Sequence, residues 1–471
     1  MVMTQPVDPT SLEAIVNVHA AAKINYDDLE KWWGGDQKVI LTDRLKQFLL
    51  TMQPANVHFS DNYLEVVVAA VTDRLNVTGF AVPGEHGEID DDGNEAPGPL
   101  AQFAVDTWTL ERGDALQLRV HDTTVALGDA FVTAEWDPTL GRVALHYNDP
   151  RLVRVHYNPS NVLQPQFASK MWEIAMTRGT SVRLNVYHPD RIERWIRSGS
   201  VAGGIWRAYV DDDFGGVIPW VMPDGEPIGL PVVHFSNAPR GQTCYGRSEM
   251  LPAIPLQRAL NKALHDLVRT SDAQGWPQRW ATGTAGGTGD LNASPGDVWV
   301  AEEEGAKFGQ LEAASPEGVI AVMNKAQEDI GAITQTPQHL FRVTSGGFPS
   351  GEALKTAEAP LVRKVGKRQV QLGNSWEDVM ALAARIAAAN GVLDADLPPS
   401  GYSAQWESAE SRPTELDHVL AVNAKPISRR QRLREFGYDA EQIARIEQEI
   451  ADEPAPLAEA LGRAFDSGGP A

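Results

Sequence analysis

Between Gly351 and Asn390 the residues Leu361, Val365, Leu372, Trp376, Val379, Ala383 and Ile386 follow one another at spacings of four, seven, four, three, four and three. This is the signature of a long helix that buries one continuous stripe. The rest of the chain must therefore supply apolar surface to cover that stripe. Gln369 is its one polar interruption. Pro360 is expected to kink or restart the helix, because it has no N–H to donate and crowds the preceding turn. Gly366 and Gly373 weaken it further.

Upstream, residues 11–79 read as helical, with Leu45, Phe48 and Leu49 on one stripe and then Leu64, Val68, Val71 and Leu75 at helical spacing. Gly84 to Pro99 breaks the pattern with Glu85, Glu88, Asp90, Asp91, Asp92 and Glu95. Glu88, Asp90, Asp92 and Gly93 imitate the start of a calcium loop, but Pro99 stands where the closing bidentate acid belongs, so a solvated loop is expected. Leu100 to Leu127 is helical again, and Phe131 to Tyr147 alternates about the turn Asp137-Pro138-Thr139-Leu140-Gly141, predicting a β-hairpin. Leu152 to Tyr157, Ser181 to Tyr187 and Pro231 to Phe235 are short strand-like runs, which makes residues 100–240 an α+β region. His146-Tyr147-Asn148 and His156-Tyr157-Asn158 echo each other; strand-end histidines beside turns are expected there rather than a paired-histidine site.

Pro255 opens a helix with the stripe Leu256, Leu260, Leu264, Leu267 and Val268, ending near Gly275. Trp276-Pro277-Gln278-Arg279-Trp280, a Gly- and Thr-rich loop and the alternation Val298, Val300 then form a small β module. Ser315-Pro316-Glu317 supplies an N-cap, a first-turn proline and a first-turn acid for a second helix through Val319, Ile320, Met323, Ile330 and Ile333. Thr334 to Ser350 follows without a single acid, although the chain carries 63 acidic against 41 basic residues and a formal charge of −22. After Pro398 a strand around Tyr402 to Trp406 precedes a helical C-terminal region and a Pro/Gly-rich tail.

Several functions are disfavoured. The charge repels nucleic acid at long range, which argues against a non-specific DNA coat. Cys244, the only cysteine, permits neither an internal disulfide nor a multi-thiolate metal site, and points to a reducing compartment or one indifferent to redox state. Lys23 is the first basic residue and no apolar run approaches a membrane-spanning length, so neither signal peptide nor membrane span is expected. The one glycine cluster, Gly283 to Asp290, lacks the Lys-Ser/Thr ending of a P-loop. No Gly-x-Ser-x-Gly elbow or His-Glu-x-x-His motif is present. No cofactor, metal or catalytic residue is expected, and the chain reads as a non-enzyme.

The order helix, inserted module, helix, acid-free loop, long helix resembles the portal, or head-to-tail connector, proteins of siphovirus-type tailed bacteriophages. Gly246-Arg247-Ser248-Glu249, Leu256-Gln257, Leu260-Asn261-Lys262, Gly275-Trp276-Pro277-Gln278-Arg279-Trp280, Tyr187-His188-Pro189-Asp190 and Pro231-Val232-Val233-His234-Phe235 are similar to that family in wording and order. The resemblance implies an α+β subunit with residues 1–245 as N-terminal region and wing, 246–274 as a first stem helix and 275–314 as a β clip. Residues 315–333 would be a second stem helix, 334–350 a tunnel loop, 351–409 the wing-spine helix and strand, and 410–471 a helical crown and tail. Trp276, Arg279 and Trp280 would dock partners at the clip, and His339, Arg342, Thr344, Ser345, Gly346 and Gly347 would face DNA. The implied assembly is a homo-oligomeric, dodecameric ring at one capsid vertex of the virion, formed in the host cytoplasm. Double-stranded DNA would pass through it in packaging and ejection, with the terminase large subunit, a head-tail adaptor and the major capsid and scaffolding proteins as partners.

Electrostatics agree in sign, because fixed basic contacts to a duplex carrying one charge per ~1.7 Å would brake its sliding. Solubility explains the acidity equally well. Arg363, Lys364, Lys367 and Arg368 on the long helix, and Arg429, Arg430, Arg432 and Arg434 near the crown, are expected to pair with acids between subunits, with DNA contact second. The competing readings are an acid-base hydrolase and a non-viral scaffold or adhesion module.

Overall fold

Three apolar clusters organise the protein, and each joins elements far apart in sequence. The computed structural model describes residues 9–37, 60–85, 97–176, 179–198, 204–210, 215–275, 279–282, 305, 307–310, 315–341, 351–393, 401–410 and 445. Two units divide the chain, Met1–Ala409 and Glu410–Ala471, and of the second only Glu410 and Arg445 are described.

In chain order the elements are α1 (Pro9–Trp33), α2 (Tyr63–Thr72), β1 (Val77–Ala81), α3 (Pro99–Leu110), α4 (Gly113–Leu127), β2 (Asp129–Asp137), β3 (Arg142–Asn148), β4 (Val153–Asn158), β5 (Asn161–Met176), β6 (Gly179–Tyr187), β7 (Arg191–Ser198), β8 (Arg207–Ala208), β9 (Val217–Pro219) and β10 (Val232–Ser236). Then come α5 (Ile254–Gly275), β11 (Arg279–Thr282), β12 (Lys307–Gln310), α6 (Glu317–Thr334), a 3-10 turn at Gln338–Leu340, α7 (Gly351–Ala389) and β13 (Ser403–Trp406). The mixture is α+β, as expected.

All strand pairings are antiparallel: β1 with β13, the sheet β10-β2-β3, the sheet β4-β5-β6-β7-β8 with β9 also on β7, and β11 with β12. The β2–β3 hairpin turns at Asp137, whose carboxylate accepts the N–H groups of Thr139 (2.8 Å) and Leu140 (3.0 Å). Short polar side chains satisfy tight turns in this way.

Every residue of the α7 stripe is fully buried. Trp376 sits at its centre, edge-on to Trp108 (5.1 Å between centroids) and Phe235 (4.8 Å). Its indole N–H donates to His121 Nε2 at 2.9 Å, while His121 Nδ1 lies 3.1 Å from the Leu75 carbonyl. That pair of bonds fixes the Nδ1–H tautomer. Burial lowers the His121 pKa to about 4, with the Leu75 carbonyl opposing.

A second cluster packs Leu12, Ile15 and Val16 of α1 on Val182, Leu184 and Val186 of β6. A third joins Phe131 and Val232 to Val153, Val155 and Ala168, fastening the two larger sheets together. A partly buried polar chain accompanies these clusters. Tyr26 donates to Asp129 Oδ2 (2.7 Å), His234 Nε2 meets Asp129 Oδ1 (2.8 Å), Tyr157 O–H meets His234 Nδ1 (2.7 Å), and Arg154 donates to Tyr26 (2.8 Å).

Several expectations need correction. Residues 77–79 do not continue the N-terminal helical region; they belong to β1, whose partner β13 lies more than three hundred residues away in sequence. Helix α7 continues through Pro360 without restarting, and the apolar stripe that follows the proline is held by the core. Glu85 is not a solvated loop acid: its carboxylate accepts the N–H groups of Leu100 (2.7 Å) and Ala101 (3.0 Å), capping the start of α3. The echoing histidines, by contrast, are strand residues as expected, His146 of β3 pairing with Glu135 (3.0 Å) and His156 of β4 meeting Ser169 (2.9 Å). Ser169 Oγ also meets His19 Nε2 at 2.9 Å, so the serine bridges α1 to the sheet. Leu45, Phe48, Leu49, Glu88, Asp90, Asp92, the Gly283–Asp290 cluster and Arg429 to Arg434 lie outside the described residues.

Candidate functional site

Helices α5 and α6 pack side by side, with the paired strands β11 and β12 between them in sequence. Two amides of α5 explain why its strings are specific. Gln257 Oε1 accepts the Tyr63 N–H (3.1 Å) and its amide donates to the Asp61 carbonyl, while Asn261 donates to Gln37 Oε1. Gln37 in turn donates to Asn62 (3.0 Å), and Asn62 to the Trp33 carbonyl (2.6 Å). Each buried amide finds partners, so the network fixes where α5 crosses the ends of α1 and α2.

Gly246-Arg247-Ser248-Glu249 forms the joint just before α5. Gly246 donates to Asp129 Oδ1 (2.6 Å), and a Cβ there would collide with the Gly128 carbonyl, so no other residue fits. Arg247 N–H donates to the Asn237 carbonyl (2.6 Å), and Glu249 N–H to that of Val125 (3.0 Å). The Glu249 carboxylate receives Arg368 Nε (2.9 Å) and lies 3.5 Å from Lys364 Nζ. Burial alone would raise the Glu249 pKa, and the two cations outweigh it, leaving the carboxyl below its ordinary value. Lys364 also donates to the Thr334 carbonyl at 2.7 Å, closing the C-terminal end of α6. Two of the four basic residues expected to pair between subunits are therefore engaged within the protomer. Arg363 and Lys367 remain exposed.

Helix α6 departs from its expected burial. Ser315 Oγ accepts the Glu317 N–H at 3.3 Å, but the helix starts one residue later than expected, with Pro316 and not Ser315 at the cap and Glu317 as its first residue. Its buried face is Ala326, Gln327, Ile330, Gly331 and Thr334, whereas Ile320, Val322 and Ile333 are 41%, 55% and 47% exposed. The apolar stripe read from the sequence is thus only partly covered by the protomer.

His339 stands at the foot of the acid-free segment. Its Nε2 lies 3.0 Å from Glu358 Oε1 on α7, and Arg74 reaches Glu358 Oε2 at 3.3 Å. The imidazole is anchored to the helix core of its own protomer. Arg342, Thr344, Ser345, Gly346 and Gly347 lie outside the described residues.

Across β11–β12, Arg279 pairs with Gln310 and Trp280 with Gly309. A Cβ on Gly309 would come within 2.5 Å of the Trp280 ring, so the indole lies across the glycine. Sequence reasoning found Trp280 but missed Gly309; a glycine opposite an aromatic in a hairpin was the available signal. Trp280 remains 41% exposed. Trp276 lies outside the described residues.

Among the described residues no cluster of His, Cys, Asp and Glu could hold a metal ion, and no helix is long and apolar enough to cross a membrane. Asp129, His234 and Tyr157 come nearest to an acid-base constellation. The Asp129 and His234 side chains are only 3% and 5% exposed, and Asp129 is fully engaged, which fits a structural bond set.

The family model for phage portal proteins of the SPP1 Gp6-like kind matches residues 13–453. The chain is 24% identical over 294 residues to a portal protein of Mycobacterium phage D29, covering 59% of this chain and 54% of that one. It is 27% identical over 202 residues to a portal protein of Mycobacterium phage L5, covering 39% and 40%. The chain thus spans about half the length or less of the curated relatives it matches. A family match running from the first turns of α1 to beyond β13 takes in every element described above, and the chain belongs to the phage portal protein family.

Proposed function

We propose that this chain is the structural subunit of a portal ring at one capsid vertex, through which double-stranded DNA is packaged and ejected. The observation that carries the reading beyond family membership is that Val322 and Ile333, eleven residues apart and so on one side of α6, are apolar and uncovered in the protomer, as is Ile320 on another side. A stem helix that closes a ring needs such a face to meet its neighbour. In this reading α5 and α6 are the stem, β11–β12 belongs to the clip, α7 is the spine of the wing, and residues 334–350 are the tunnel loop. Trp280, half open on its hairpin, would bind the terminase large subunit and then the head-tail adaptor, with capsid and scaffolding proteins around the wing. A dodecamer is the ring size the family implies. The chain would act structurally, with ATP turnover belonging to a packaging partner. His339, tied to Glu358, would set the foot of the tunnel loop and leave Arg342 to meet phosphates.

The test is the mass of the purified protein together with negative-stain imaging. Closed rings are expected, and a strictly monomeric mass at micromolar concentration would overturn the proposal. For the loop, Arg342→Glu should leave rings intact while reducing packaged DNA; loss of rings with a folded protomer would make Arg342 an inter-subunit contact instead.

A further inference from the structure

The six-stranded sheet sorts its charges by face. Residues opposite one another in an antiparallel register share a face. The pairings Lys170–Asn185–Arg194 and Trp172–Arg183–Ile196–Arg207 therefore place four cations and a tryptophan on one face. Along β5, β6 and β7 the remaining positions of that face are Ala168, Ile174, Ser181, Tyr187, Ile192 and Ser198, so it holds no acid; its Ala168 and Tyr187 end packs against Phe131 and Val232 of the neighbouring sheet, and the proposal concerns the part beyond that contact. The opposite face packs Val182, Leu184 and Val186 on α1. In a chain of charge −22 this segregation is local and opposite in sign to the whole.

The cations stand among rings. The Arg183 guanidinium lies 3.2 Å from the Tyr209 ring centroid and 5.7 Å from that of Trp172; Lys170 Nζ lies 5.8 Å from Trp172, and Arg194 lies 5.2 Å from Tyr209. Among the described residues no carboxylate pairs with Lys170, Arg183 or Arg207, and the buried Arg183 Nε and Asn185 Oδ1 have no hydrogen-bond partner. Arg194 donates to the Gly215 carbonyl at 2.9 Å. The carboxylate acting on Lys170 from the neighbouring sheet is Glu135, which is engaged by His146 at 3.0 Å. Burial pushes the Lys170 pKa down, with Glu135 opposing, so an added anion would restore its ordinary value.

We propose that this face of the wing sheet is a docking surface for an extended acidic peptide segment of a partner protein, its carboxylates seated on Lys170, Arg183 and Arg207 and its backbone over Trp172. Strands lie about 5 Å apart, so cations on adjacent or alternate strands are ~5–10 Å apart, matching carboxylates one to three residues apart in an extended segment. Charge-assisted bonds to guanidinium favour carboxylates with fixed geometry. A duplex is disfavoured because its dense charge would meet the acidic remainder of the protein. The proposal does not depend on the ring reading.

The test uses the full-length protein and a fluorescein-labelled oligoglutamate peptide, followed by anisotropy, with an oligolysine peptide and a duplex DNA oligonucleotide as comparators. Saturable, salt-sensitive binding of oligoglutamate alone is expected. Arg183→Ala should weaken it about tenfold, Arg183→Lys should restore much of it, and the exposed change Arg207→Ala should weaken it without affecting folding. Unchanged affinity in both Ala variants, or no saturable binding, would overturn the proposal. So would tighter binding of the duplex lost in the same variants. Asp211, Asp212 and Asp213 follow β8 in sequence; binding seen only after their conversion to Asn would show that the chain's own acids occupy the face, and would also overturn it.

Discussion

Helices α7 and α6 carry the same kind of apolar periodicity and meet opposite fates. The stripe of α7 is buried over its whole length by α2, α3, β2 and β10 of its own protomer, whereas α6 leaves Ile320, Val322 and Ile333 open. Periodicity reports that a helix needs a partner and is silent on whether that partner lies in the same chain. The difference separates what holds the protomer together from what the protomer leaves uncovered.

The largest effect should come from breaking the covered side. Trp376→Ala removes the centre of the core and the bond to His121, and a loss of about 3–5 kcal/mol in unfolding free energy is expected by denaturant titration. Glu249→Gln should cost about 2–4 kcal/mol on the same measurement, since Lys364 and Arg368 are left in a buried place without their counter-charge. On the open side, Val322→Asp with Ile333→Asp should leave the unfolding midpoint of the protomer close to wild type and shift the particle mass toward monomer. A large fall in the midpoint would show that α6 is covered in the protomer and would erase the contrast.

A pH titration sharpens the comparison. His19 and His156 meet at Ser169, and burial lowers their pKa values to about 3 and about 4, with Arg154 pushing the same way. Their neutral forms are the folded ones. Each therefore costs nothing above the unfolded value of 6.5, and as pH falls below it each removes up to about 1.4 kcal/mol per pH unit until its folded pKa is reached. His19→Gln should flatten the dependence of the urea midpoint on pH below neutrality, and an unaltered slope would refute the assignment. The smallest effect belongs to Lys325→Ala, whose exposed pairing with Asp329 should leave the midpoint unmoved.

What the sequence revealed follows from how local each signal is. The α7 stripe, the β2–β3 turn and the limits of α5 depend on neighbours within a few residues, and were legible. Strand β1 was not, because Val77 to Ala81 becomes extended only through pairing with Ser403 to Trp406. Strand β5 was missed because Pro165 interrupts its pattern, and the structure places that proline where the β4–β5 register shifts. Of the site, the strings around Gln257, Asn261 and Glu249 were recognised as wording; their role as joints needed the partners Gln37, Asp61 and Lys364, which no spacing reveals. Lys364 and Arg368 were misjudged for the same reason, their acid being more than a hundred residues away in sequence.

The two ion clusters on α7 also have a mechanical meaning. Glu358 holds His339 and Arg74, and Lys364 holds the Thr334 carbonyl at the end of α6 and Glu249. Six residues separate them, ~9 Å along the helix axis. Two anchorages at that spacing resist rotation as well as displacement, where one would act as a pivot. A displacement at the C-terminal end of α6 would therefore bear on α7 at two points, both on the N-terminal side of the core around Trp376.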